Sequence, residues 1–348
     1  MSTVLKVIVV ILLFSAIILF HELGHFLLAK KNGIRVNEFS LGLGPTLFGI
    51  TRGETKYSIK LLPFGGACMM EGEDEDSDDE RSFQKKSVWA RISVVAAGPI
   101  FNFIFAFVAA LILIVCNGYD VPQVQDVIED YPAQEAGMQA GDTIISMNGK
   151  RIHLWREVSL YPVFYPGKDI TIVYERDGER YEATVTPMYD EEQGRYLVGF
   201  YGSGTLEKGN ILDSAKYSVY ELKYWINATF QSLRMLVTGK VSANEVSGPV
   251  GIVKTIGDTY DQANELGGAY LVFINMLNMA ILLSANLGVM NLLPIPALDG
   301  GRMVFLFIEA IRRKKLDPDK EGMVHFVGLV LLLILMVVVT ANDIRKLF

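Results

Sequence analysis

A chain of 348 residues, 51% of them hydrophobic and with a mean hydropathy of +0.30, is too apolar for an ordinary soluble domain. The composition implies a polytopic membrane protein with a modest soluble part. Its net charge of −7 gathers in one acidic run, EGEDEDSDDE (residues 71–80), and no basic stripe points to nucleic acid.

The chain opens on an apolar helix pattern from Val4 to Lys30, long enough to span a bilayer, since ~20 apolar residues cover the hydrocarbon core. Its start is like a signal peptide, but no small-residue cleavage site follows. Near its end stands HELGH (residues 21–25), with apolar neighbours on both sides. Ionisable groups at that depth cost several kcal/mol each and tend to be functional. On a helix His21 and His25 share a face, the spacing at which two imidazoles grip one Zn²⁺ with Glu22 as general base.

Next come two strand-like stretches, RVNEFSLGLG and TKYSIKLLPFGG, with glycine turns. The acidic run follows and reads as a solvated loop, with a cation site as the alternative. Residues 92–116 form a second uncharged span. An outer segment then shows strand alternation around Asp177-Gly178, a hairpin signal. Residues 131–152 suggest a short helix, a Gly-Asp turn, a strand and an Asn-Gly turn, and that order resembles bacterial PDZ domains. Such a domain adds extended peptides to a sheet edge; a structural cap without ligand is the alternative. Apolar residues at helical spacing from Asn210 to Lys240 predict a helix lying on that domain or on the outer membrane surface. A third span, residues 266–298, breaks late at LLPIPALDGG, and a fourth runs from about Val324 to Ala341. Basic residues in IRRKK (311–315), with Lys30, Lys31, Arg35, Lys85, Lys86 and Arg91, make two loops cytoplasmic and both termini extracytoplasmic. Cys68 and Cys116 then lie on opposite sides, which excludes a disulfide between them.

A zinc site needs a third protein ligand. His325, Glu309 and Asp299 are the candidates, since His153 lies in the outer segment. Depth arithmetic favours Asp299. His21 lies ~25 Å of helix from the outer entry of span one, and Asn291 lies ~33 Å from that of span three, which runs the same way. Pro294 and Pro296 break the helix there, and irregular backbone at membrane depth must be buried in protein or line a wet cavity. Gly300 and Gly301 allow close packing around the carboxylate.

HELGH, AGPIFN (97–102) and NLLPIPALDGG (291–301), with LGLGP, LLPFGG and VSGPVGI, together resemble the site-2-protease-type intramembrane zinc metalloproteases, in the bacterial branch acting on anti-sigma factors. The resemblance covers nearly the whole chain. It implies one Zn²⁺ on His21, His25 and Asp299, with Glu22 as catalytic base. It implies Asn291 polarising the scissile carbonyl, and Asn286, Pro294 and Pro296 holding substrate; helix–helix hydrogen bonding is the alternative for both asparagines. Asn102 is assigned to helix packing, with a contribution to the site as the alternative. Gly65 and Gly66 are assigned to substrate positioning, with simple turns as the alternative. The expected substrates are single-span membrane proteins such as pre-cleaved anti-sigma factors or signal-peptide remnants. Gram-negative relatives carry two PDZ domains, whereas one fits here, which points to relatives from Gram-positive bacteria.

The expected architecture is a polytopic α-helical membrane protein with four transmembrane helices, a cytoplasmic membrane-associated β-hairpin region and an extracytoplasmic PDZ-like α+β domain. It sits in the bacterial plasma membrane, among membrane lipids, with its site near the cytoplasmic face. The expected boundaries are 1–30 for helix one, 31–87 for the cytoplasmic loop, 88–117 for helix two and 118–204 for the PDZ-like domain. An amphipathic helix and linker take 205–266, helix three with LDGG takes 267–313, a loop takes 314–322, helix four takes 323–342 and a tail takes 343–348. Two other classes compete: a non-catalytic adaptor, which has no need of HELGH, and a metal transporter, which would need a polar file across the bilayer.

Overall fold

Helix α1 (Thr3–Lys31) forms from an almost unbroken apolar run with no internal glycine before Gly24 and ends on two lysines, which suit a helix C-terminus. The computed structural model describes residues 3–73, 77–202, 204, 206–240 and 246–347. Residues 74–76 of the acidic run, 205 and 241–245 of the stretch read as helix and linker, and 348 of the tail lie outside the described residues. Two compact units emerge. The first combines Met1–Ala109 with Gly239–Phe348, and the second is Ala110–Thr238.

In the first unit, α1 is followed by an antiparallel hairpin of β1 (Val36–Arg52) and β2 (Thr55–Met70). The half of the hairpin next to α1 is anchored by Phe26 against Phe39 and Tyr57, with ring centroids 5.1 and 6.0 Å apart. Its far half carries Leu47, Phe48, Ile50 and Leu61 exposed, Phe48 by 66%, although all four are large and apolar. Water would not hold such a surface open; lipid would.

Helix α2 (Val88–Asn117) contains Pro99, which removes one ladder donor and loosens the carbonyls one turn earlier. The second unit is built from short strands: β3 (Tyr119–Asp120), β4 (Val124–Val127), β5 (Thr143–Met147), β6 (Lys150–Arg151), β7 (Ile170–Arg176), β8 (Glu179–Val185), β9 (Met188–Asp190), β10 (Arg195–Leu197), β11 (Phe200–Gly202) and β12 (Leu206–Glu207). β5 to β8 form a four-stranded sheet in the order β6-β5-β7-β8, and β11 pairs with β4. Asn148-Gly149 and Asp177-Gly178 turn their hairpins with positive φ at both residues, as type I′ geometry demands. Helices α3 (Pro132–Glu135) and α4 (Trp155–Phe164) cover a core that includes Ile144, Met147, Val158, Ile170 and Ile172. Asp142 is fully buried and pairs through both oxygens with Arg176 at 2.7 and 2.8 Å.

Helix α5 (Ile211–Val237) is capped by Asn210, whose side chain accepts from the backbone of Leu212 and Asp213. It docks on this unit through stacked Tyr119 and Tyr217, His153 against Tyr220, and an Arg156–Glu221 ion pair at 2.5 Å.

Back in the first unit, α6 (Pro249–Asn291) is two helices joined at Gly267 and Gly268, the latter at φ 61°. Residues 249–266, expected as linker, are therefore helical. Pro249 at the helix start and the buried spacing of Ile256, Tyr260 and Ala263 are the reason. Helices α7 (Asp299–Arg312) and α8 (Pro318–Arg345) complete the chain. Asp343 of α8 accepts the backbone N–H groups of Gly248 and Gly251 at 3.0 and 2.7 Å, capping α6. Among the described residues, α1, α2, α6 and α8 are long and apolar enough to cross a membrane.

His153 gives a pH test of α5 docking. Burial, then the neighbouring Lys223, Arg151 and Lys216, hold its pKa below the ordinary 6.5. Below pH 6.5 the unfolded chain binds the proton more readily, so stability of the second unit falls as pH drops through that window. His153→Phe is expected to flatten this slope in thermal melts between pH 7 and 5; an unchanged slope would refute the assignment.

Candidate metal centre

The site is assembled where α1 and α2 cross closely. Gly24, inside HELGH, permits the crossing: a Cβ there would lie 2.4 Å from the carbonyl oxygen of Ala97. Gly98 opens the space beyond it. A Cβ at Gly98 would lie 2.3 Å from Nε2 of His25 and 2.7 Å from Cε1 of His21. Both imidazoles, each 9% exposed, occupy the room these glycines leave.

The side chains converge on one point. Nε2 of His21 and Nε2 of His25 are 3.2 Å apart, and Oδ2 of Asp299 lies 3.3 and 3.6 Å from them. A tetrahedral ion holding nitrogen ligands at ~2.0–2.1 Å keeps them ~3.3 Å apart. Oδ2 of Asp299 is buried without a hydrogen-bond partner, as expected of an atom reserved for a cation. His21, His25 and Asp299 form the group of potential metal ligands found among the described residues. At its far side the His25 ring is fixed by Nδ1–H donating to the carbonyl of Val94 at 2.9 Å, which leaves the Nε2 lone pair for a metal.

Asp299 begins α7, where the helix dipole favours a carboxylate. The preceding loop folds tightly over that helix end. A Cβ on Gly300 would lie 2.2 Å from the carbonyl of Leu293, and one on Gly301 2.3 Å from that of Ile295. Ala297 takes φ 75°, and its N–H donates to Nδ1 of His325 at 2.9 Å. His325, weighed from sequence as a third ligand, instead anchors the loop that leads into Asp299. Glu309, also weighed, pairs with the buried Arg91. His153 belongs to the second unit.

Glu22 lines the same cavity of about 540 Å³ as His21, His25 and Asp299. Its carboxylate meets the backbone N–H of Cys68 on β2. At Gly66 that strand passes so close that a Cβ would lie 2.9 Å from Cγ of Glu22. Gly65, at φ 87°, faces Leu43. Arg302 and Glu73, ion-paired with each other, also line the cavity. Asn286 and Asn291 are half-buried near the end of α6 and, with Pro294, lie outside this lining; Pro296 borders an apolar hollow against α8.

Sequence reasoning missed the part played by Gly98 and by the Val94 carbonyl. The AGPIFN motif was the available signal, but its residues acquire meaning only when the partner helix is in place. Gly98→Ala is therefore expected to weaken metal binding at least about 10-fold. Chelator competition on purified protein measures this, and wild-type affinity in a folded variant would contradict the crowding argument.

The chain matches peptidase family M50 over residues 9–335. It is 43% identical over 340 residues to a Clostridium acetobutylicum protein provisionally named a zinc metalloprotease, covering 97% of each chain. It is 35% identical to zinc metalloprotease RasP of Bacillus licheniformis, covering 98% of this chain and 99% of that one. With the regulator of sigma-W protease RasP of Bacillus subtilis it shares 33% identity over 425 residues, covering 98% and 99%. That alignment is longer than this chain, so the Bacillus protein carries segments without a counterpart here. A family match over most of the length, with close zinc metalloprotease relatives, leads to one conclusion: this chain belongs to peptidase family M50, the site-2 protease family, and is a zinc metalloprotease.

Proposed function

We propose that this protein hydrolyses peptide bonds inside the membrane-spanning segments of single-span proteins, with Glu22 as general base and His21, His25 and Asp299 as the zinc ligands. The observation that carries this reading is the convergence on one cavity of His21, Glu22 and His25, from a helix long and apolar enough to span a bilayer, with Asp299 at the start of α7. Zinc, when bound, supplies Lewis acidity, polarising the scissile carbonyl and lowering the pKa of a water beside it. Glu22 takes a proton from the attacking water as the water oxygen bonds to the carbonyl carbon, then delivers that proton to the amide nitrogen as the C–N bond breaks. His21, His25 and Asp299 line the same cavity as this carboxylate, so a carbonyl bound there would lie within its reach.

A helical substrate hides its carbonyls in its own hydrogen bonds, so it must unwind before it can be cut. The β2 strand running past Glu22 offers backbone groups to which an unwound segment can pair. The exposed apolar half of the hairpin supports its insertion into lipid. This reading keeps Asn286, Asn291, Pro294 and Pro296 for substrate contacts outside the cavity, and Gly65 and Gly66 for the strand next to it. The basic loops support a cytoplasmic site, with both termini and the second unit outside. The β-rich second unit, with α4 beside β11, supports a PDZ-like module for extended peptides. The proposed substrates are pre-cleaved anti-sigma factors or signal-peptide remnants.

Glu22→Gln is expected to retain zinc while cleavage of a co-expressed single-span substrate falls roughly 100-fold or more. Wild-type cleavage by that variant would refute the assigned base.

A further inference from the structure

The hydrogen bond at the back of His25 has a counterpart at His21, and it comes from α2. The side-chain amide of Asn102, fully buried, lies 3.0 Å from Nδ1 of His21. The backbone of Asn102 is itself held by Ser284 of α6, whose hydroxyl donates to the Asn102 carbonyl at 2.8 Å. Helices α1, α2 and α6 therefore meet at one residue.

The chemistry of the imidazole decides which way that amide must point. Nε2 of His21 faces Asp299 and His25, so binding a cation there needs its lone pair. A neutral imidazole with a free Nε2 carries its hydrogen on Nδ1. Asn102 must then present its oxygen to Nδ1–H. With Nδ2 turned to the ring, as it stands in this structure, Oδ1 is buried without a partner and the Nε2 lone pair is lost to the tautomer. The two amide orientations are identical in shape, so packing does not choose between them. The metal does.

We propose that Asn102 is a positioning residue for the zinc site, accepting a hydrogen bond from Nδ1–H of His21 and so holding that ring in its ligating tautomer. This rests on the assignment of His21 as a ligand. With Val94 behind His25, each imidazole would have a dedicated acceptor, one from a backbone and one from a side chain. Gly98 and Asn102, one turn apart on α2, then make up a wall serving both rings: one gives them room and the other aims one of them.

The test uses the full-length chain in detergent, with zinc affinity measured by competition against a chromophoric chelator and folding followed by thermal melts of the metal-free protein. Asn102→Leu keeps the size and removes the acceptor; its affinity is expected to fall roughly 10-fold to 100-fold. Asn102→Asp has no N–H to offer and can only accept, so it is expected to bind zinc at least as tightly as wild type. Wild-type affinity in Asn102→Leu overturns the proposal. So does an Asn102→Asp protein that fails to fold or loses zinc as the leucine variant does, because the amide N–H or packing alone would then be what matters. His21→Ala separates this from the underlying assignment: if it binds zinc like wild type, His21 is not a ligand and the ligand assignment itself falls.

Discussion

Three polar atoms brought within 3.6 Å of one another inside an apolar bundle set the terms for the rest of this protein. Two imidazoles and a carboxylate buried there are costly unless a cation or hydrogen bonds compensate them. The surrounding structure is arranged so that the far nitrogen of each imidazole meets a hydrogen-bonding partner while the inward-facing atoms stay available. Val94 receives the far nitrogen of His25, and α7 presents Asp299 at the end of its dipole. The loop between α6 and α7 is clamped by His325 so that the carboxylate arrives at the required place.

Close approach is the second requirement, and glycine meets it. Gly24 and Gly98 remove side chains where α1 and α2 would otherwise collide with each other or with the imidazoles. Gly300 and Gly301 do the same under the loop that carries Asp299, and Gly66 lets β2 pass over Glu22. The motifs around these polar side chains are thus mostly about space. A membrane interior packed with Leu, Ile and Phe has none to spare, so each polar group needs a smaller neighbour.

The second unit follows ordinary soluble rules. Its strands alternate, its hairpins turn on Asn-Gly and Asp-Gly, and its core is aliphatic. These features were legible because they are local: a turn residue with positive φ or a period of two needs no distant partner to be recognised. The helix at 249–266 was not, because its start follows residues with no regular pattern and its end is set by a two-glycine break, easily read as the entry to a span.

The amino-acid sequence by itself determined the four apolar helices, the hairpin after the first, and the pairing of His21 with His25 through helical spacing. It also carried enough information to single out Asp299, since rise per residue brings two separated segments to a common level. Only the tertiary structure decided what His325, Glu309, Gly98 and Asn102 touch, because each meets a residue far away in the chain. A lone histidine or asparagine in an apolar run offers the same hydrogen-bonding atoms to any partner. Which partner it meets depends on how helices cross, and that is a property of packing between segments rather than of either one alone.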